Sequence, residues 1–108
     1  MRRGDLVTIA VQGDYGKPRP AVVIQSDNFD KHPSVTVLPI TSTLLNAPLL
    51  RVEVKPSSEN GLTKKSQVMV DKTVTIPRGK MGAVIGCLDY AVMQEIDRCL
   101  AVFLGIAK

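Results

Sequence analysis

The chain has 108 residues, of which 44% are hydrophobic and 22% charged, with 14 Lys+Arg against 10 Asp+Glu for a formal net charge of +4. That length and balance fit one globular domain with one real core, read here as residues 1–108, and exclude a disordered or low-complexity polypeptide. The basic excess favours a polyanionic partner without specifying one, and no apolar run approaches the roughly 20 residues of a membrane span.

In chain order, Leu6–Val11 is β-branched and bounded by Gly4-Asp5 and Gln12-Gly13-Asp14, which predicts a first strand. The turn-rich stretch Gln12–Lys17 leads into a second strand at Ala21–Gln25, so the two form a hairpin. Ser26-Asp27-Asn28 can cap a turn, with one helical turn over Phe29–His32 before Pro33. Ser34–Leu38 alternates as a strand and is expected to end at Pro39. Leu50–Lys55 alternates apolar and charged residues, and Pro56–Gly61 is a loop. Ser66–Val70, Thr73–Ile76 and Met81–Cys87 are further short strands. One helix follows: Asp89 caps it, Val92, Met93, Ile96, Leu100 and Phe103 lay one apolar stripe, and Gly105 stops it. The pattern is mainly β with a C-terminal helix, an α+β arrangement in which a bent antiparallel sheet or small barrel is covered by the helix.

The common catalytic constellations are missing from this sequence. His32 is its one histidine and lies in a Lys-His-Pro turn; no serine has a nucleophile-elbow context, and GxGxxG and P-loop patterns are absent. Asp27 and Asp30 read as a cap and a surface charge. Cys87 and Cys99 have apolar neighbours and read as reduced core thiols. No CxxC or Cys/His cluster is present, so neither a metal nor a cofactor is expected. The basic N-terminus runs into an alternating segment rather than a signal sequence, and a cytoplasmic protein is expected.

Polar groups at strand ends remain. Pro18 and Pro20 fix φ on either side of Arg19 and bias its backbone towards an extended form, giving the guanidinium a stiff support. A planar fork of donors held this way suits a phosphate or carboxylate. Ile40-Thr41-Ser42-Thr43 offers three hydroxyls and backbone N–H groups just after a strand, a turn able to hold a phosphate or simply to cap itself.

Four segments occur in a telling order: Arg3-Gly4-Asp5 opens the first strand, Arg19-Pro20 enters the second, Pro39-Ile40-Thr41-Ser42 leaves the third, and Leu104-Gly105-Ile106 ends the helix. In this order the chain resembles the MazF/PemK (Kid-like) toxins of type II toxin–antitoxin pairs over nearly its whole length. The resemblance implies the small SH3-like barrel with a C-terminal helix that those toxins share with CcdB-like toxins. It implies a sequence-specific, metal-independent endoribonuclease acting on single-stranded mRNA. In such toxins the RNA's own 2′-OH attacks the adjacent phosphate, leaving a 2′,3′-cyclic phosphate and a 5′-OH end. An attacking group inside the substrate removes the need for a protein nucleophile or metal-bound water.

Residue by residue, the resemblance makes Arg19 the transition-state-stabilising arginine and Thr41 the hydrogen-bonding partner of the scissile phosphate, with Ser42 its neighbour. Kid-like members carry an Arg-x-Asp pair where this chain has Met69-Val70-Asp71, so the aspartate stands and the arginine does not. Others carry Gln-x-Arg-Thr where this chain has Lys72-Thr73-Val74-Thr75. The general base is therefore open among Asp71, Asp14 and no residue at all. Lys17, Lys72, Lys64 and Lys65 are candidate RNA-backbone contacts, and Tyr15 is the aromatic placed to stack on a base. A homodimer and a cognate antitoxin with an acidic disordered tail are the partners implied. Two alternatives stand beside this reading: a CcdB-like gyrase-binding toxin, disfavoured by the lack of tryptophan, and a non-catalytic SH3-like interaction module.

Overall fold

The computed structural model describes residues 1–10 and 17–107. Seven strands, β1 (Asp5–Ala10), β2 (Pro18–Val23), β3 (Ser34–Thr41), β4 (Arg51–Val54), β5 (Ser66–Met69), β6 (Val74–Pro77) and β7 (Val84–Cys87), precede one helix, α1 (Tyr90–Phe103). The sheet runs β4-β5-β3-β2-β1-β7, with β6 also on β3, and every pairing is antiparallel. It curls into a half-barrel backed by the helix, the architecture expected from the strand and helix patterns.

β3 is the spine of this curl. Val37–Pro39 pairs with β2 along one edge, while the other edge takes β6 at Ser34–Val37 and β5 at Ile40–Thr41. Period-2 alternation then sorts the side chains into two cores. Leu6, Val22, Leu38, Ile40 and Val68 face the helix and meet Ile96 and Cys99. Val7, Ile9, Ala21, Val23, Val35 and Val37 face the other way and gather around Ile76. Each such side chain, fully buried, contributes about 1.5–3 kcal/mol relative to exposure, so a one-residue slip of any strand would be costly.

Several expected boundaries are corrected. β2 begins at Pro18 rather than Ala21, β3 runs through Pro39 to Thr41 rather than ending at Pro39, β7 begins at Val84 rather than Met81, and the helical turn lies at Asp27–Phe29 rather than Phe29–His32. Proline is tolerated in a sheet where its missing N–H has no partner to lose. β3 reaches β2 only as far as Ala21, so Pro18 and Pro20 lie on a stretch paired on one edge alone. Pro39 stands in the gap where β3 passes from β6 to β5.

Asp89 caps α1 by accepting the Val92 N–H at 2.8 Å, as expected. Gly105, at φ +77°, ends it, and the Ile106 N–H reaches back to the Ala101 carbonyl at 2.8 Å. Within the apolar stripe, Ile96 and Cys99 are buried, whereas Phe103 is 48% exposed, against expectation, because it lies in the last turn beyond the sheet's cover. Cys87 is likewise exposed rather than a core thiol: it sits on the terminal strand β7, whose residues are mostly outside the core. Both cysteines are free. Burial, and then the neighbouring Glu95 carboxylate, push the Cys99 thiol above its ordinary pKa. Glu95 itself is held low by hydrogen bonds from Arg98, 2.6 Å at the shorter contact.

The N-terminus is tied down through Arg3. Its backbone N–H donates to Asp27 at 2.7 Å, its Nε to the Ile24 carbonyl at 2.8 Å, and its Nη2 to Asp97 at 2.6 Å. The Pro56–Gly61 loop packs on β7 so closely that a Cβ at Gly86 would collide with the Glu59 and Asn60 backbone. Among the described residues, no helix is long and apolar enough to cross a membrane.

Candidate active site

Alternation that fills the cores also builds a cleft. Arg19 on β2, Thr41 on β3 and Met69 on β5 belong to the sheet face opposite the helix, and Asp71 follows two residues after Met69 on the same side. These residues line a hollow of about 540 Å³ with Pro39, Ile40, Lys72, Thr73 and Val74. The β2–β3 register runs from Val23–Val37 to Ala21–Pro39, so Arg19 and Thr41 each stand two residues beyond the last pair, at the same end of the two strands. Arg19, flanked by Pro18 and Pro20, lines the hollow from a stretch of β2 that β3 does not pair.

Thr41 ends β3, and its Oγ1 accepts the Thr43 N–H at 3.0 Å. The hydroxyl therefore caps its own turn and still keeps a proton to donate, so the two sequence readings of this turn describe one geometry. Asp71 follows β5 with its side chain 22% exposed, and the Lys72 ammonium lies 3.5 Å from its carboxylate. A cation, a hydroxyl and a carboxylate–ammonium pair thus line one hollow walled by Pro39, Ile40, Met69 and Val74. Such a site can bind a phosphodiester and move a proton within reach of it.

Of the described candidates, the structure brings together Arg19, Thr41, Asp71 and Lys72 but not Ser42, Lys17, Lys64 or Lys65. Ser42 is exposed beside Thr41, outside the hollow's walls, and Lys17 is exposed at the entrance of β2. Lys64 and Lys65 precede the opposite end of β5, where Lys65 pairs with Glu53 at 3.7 Å. Tyr15 and Asp14 lie outside the described residues. His32 is engaged with Ser34, its Nδ1 accepting the Ser34 N–H at 3.2 Å. Among the described residues, no group of three or more His, Cys, Asp or Glu is placed to hold a metal ion. Pro39, Met69 and Val74 stand within segments that the resemblance covers, but their part as apolar walls of the hollow has one trace in the sequence, the alternation that puts Met69 on Asp71's side.

Arg19, Thr41 and Asp71 on one curled antiparallel sheet form a cleft whose chemistry suits an anion such as a phosphate. The family model of the PemK-like, MazF-like toxin of type II toxin–antitoxin systems matches residues 2–104, and the chain belongs to that family. It is 48% identical over 108 residues to a probable endoribonuclease MazF of Mycolicibacterium smegmatis, covering 99% of each chain. Among solved structures it is similar to the Mycobacterium tuberculosis toxin MazF-mt6, with a TM-score of 0.82 and 26% identity over 96% of this chain and 99% of that one. An endoribonuclease in complex with its cognate antitoxin from a mycobacterial species shares the fold, at a TM-score of 0.83 and 24% identity over 100% and 98% of the two chains.

Proposed function

We propose that residues 1–108 act as a single toxin domain of a type II toxin–antitoxin pair, an endoribonuclease that cuts single-stranded mRNA in the cytoplasm. The observation that carries this reading is the shared cleft of Arg19, Thr41 and Asp71, in a chain 48% identical to a probable endoribonuclease. In the proposed reaction the ribose 2′-oxygen forms a bond to the adjacent phosphorus as the bond from phosphorus to the 5′-oxygen breaks. The Asp71 carboxylate takes the 2′-OH proton, and the departing 5′-oxygen gains a proton from water. Arg19 faces the phosphate and offsets the charge that grows on its non-bridging oxygens, while the Thr41 hydroxyl donates to one of them. Lys72 keeps the cleft positive and steers the RNA backbone. The products are a 2′,3′-cyclic phosphate and a 5′-OH end.

The reading extends to a homodimer, and to an antitoxin whose acidic tail competes with RNA for the basic cleft. Incubating the purified chain with a long single-stranded RNA in excess EDTA, beside Arg19→Ala, tests it. Discrete fragments with cyclic-phosphate and 5′-OH ends, absent with the variant, are expected. Intact RNA across several substrates would instead favour gyrase binding or an adaptor role, and gyrase capture would separate those two.

A further inference from the structure

Gln67 is an anomaly in β5: a polar side chain only 4% exposed, between Ser66 and the buried Val68. Burying an amide is costly unless its hydrogen bonds are made. Here they are made to one short loop segment. The Gln67 Nε2 donates to the Leu45 carbonyl at 2.9 Å, and its Oε1 accepts the Leu45 N–H at 3.0 Å. The side chain thereby pairs with the Leu45 backbone much as a neighbouring strand would. Arg51 closes the arrangement from β4, its Nη1 donating both to the Gln67 Oε1 and to the Thr43 carbonyl, each at 3.1 Å.

The residue so gripped leads back to the cleft. Thr43 is held by its carbonyl through Arg51, and its N–H is the group that Thr41 Oγ1 accepts. Gln67 is also the cross-strand partner of Thr41, and Arg51 that of Met69, so both clamp residues share registers with cleft residues. Neither lines the cleft itself. They border a separate hollow of about 450 Å³ between the 45–48 loop and α1. Their link to the cleft is the turn they hold.

We infer that Gln67 and Arg51 are positioning residues that fix the Thr41 hydroxyl for the phosphate. This role rests on the nuclease reading above and on Thr41 touching the substrate. Releasing the clamp lets the Thr41–Thr43 turn relax, and the hydroxyl loses its fixed direction. Misplacements of this kind lower the rate of the chemical step by roughly tenfold to a hundredfold while leaving binding of the ground state largely intact.

The test is a cycle of four proteins: wild type, Arg51→Met, Thr41→Val and the double variant. It uses single-turnover cleavage, binding of an RNA whose attacking 2′-OH is replaced by hydrogen, and hydrogen exchange of the Thr43 amide. Arg51→Met is expected to slow cleavage, leave the binding of the uncleavable RNA unchanged, speed Thr43 exchange, and add nothing in the Thr41→Val background. Arg51→Lys, which keeps one donor, should recover part of the rate. An equal loss in both backgrounds, a loss of binding that matches the loss of rate, or unchanged Thr43 exchange would each overturn the role. Wild-type cleavage by Thr41→Val would overturn it too, together with the part assigned to Thr41. If Arg51→Met does not fold, Gln67→Glu removes the donor to Leu45 while keeping the acceptor for Arg51, and is read by the same criteria. Absence of cleavage by the wild-type chain would remove the nuclease reading as well as this role. Thr43 exchange indifferent to Arg51 in an active enzyme would remove the role alone.

Discussion

Arg3 and Asp97, 94 residues apart in sequence, meet in a forked ion pair whose shorter arm, Nη2 to Oδ1, is 2.6 Å. The same guanidinium donates to the Ile24 carbonyl, so one side chain fastens the N-terminal turn, the end of β2 and the helix. Arg3-Gly4-Asp5 was one of the segments by which the family is recognised, yet its arginine acts in assembly, far from the cleft residues. Arg3→Met should therefore destabilise the fold without changing the chemical step. With Asp97 about half exposed, the ion pair contributes no more than about 0.5–1 kcal/mol after screening. The lost bond to Ile24 adds about 1 kcal/mol. Urea unfolding beside single-turnover cleavage checks both halves.

Arg19→Ala is expected to lower cleavage by at least about a hundredfold, the scale of removing a donor from a developing oxyanion. Circular dichroism should show the wild-type fold, because the side chain is exposed at a strand entrance and outside both cores. Wild-type turnover in this variant would remove Arg19 from the mechanism.

Asp71→Asn keeps the shape of the cleft and removes the proposed proton acceptor. A fall of roughly a hundredfold to ten-thousandfold in the single-turnover rate fits a general base. A rate within a few-fold of wild type would leave proton removal to water, and the Asp71–Lys72 pair would then serve only to shape the cleft.

The two thiols should differ sharply in reactivity. Cys87 is exposed and ought to react with a thiol reagent in the native protein within the mixing time of an ordinary assay. Cys99 is buried, with its pKa raised, and should react only as fast as the protein opens. The sign is fixed by the cause: a raised pKa leaves less thiolate at any given pH. Mass spectrometry of a labelling time course distinguishes one modified site from two.

The Glu95 carboxyl should titrate below the ordinary glutamate range and return towards it in Arg98→Gln, followed by its side-chain carbon resonance. A lowered folded-state pKa means that the Glu95–Arg98 pair supports the helix at neutral pH. That support is lost as the pH falls through the folded-state value.

What the sequence disclosed follows from what is local. Strands with one buried face announce themselves by alternation, as Arg51–Val54 does, and the helix by its cap, stripe and terminal glycine. Arg19 was marked by its flanking prolines. Prolines also misled: Pro18, Pro20 and Pro39 read as strand limits, because tolerance of proline depends on which edges are paired, a property of the sheet and not of the segment. Lys64-Lys65 and Lys72 looked alike as charges, and only the direction of β5 sets one pair at the far end and the other residue at the cleft. Gln67 gave no signal, since its partners at Leu45 and Arg51 are separated from it by 22 and 16 residues.

The first strand and the last are neighbours: β1 takes β7 on its outer edge, with Asp5 opposite Cys87. During synthesis the early strands must therefore wait, one edge unpaired and one core uncovered, until β7 and α1 have emerged. A protein assembled in this order builds the strands that carry Arg19, Thr41 and Met69 first and closes the helix-facing core over them afterwards.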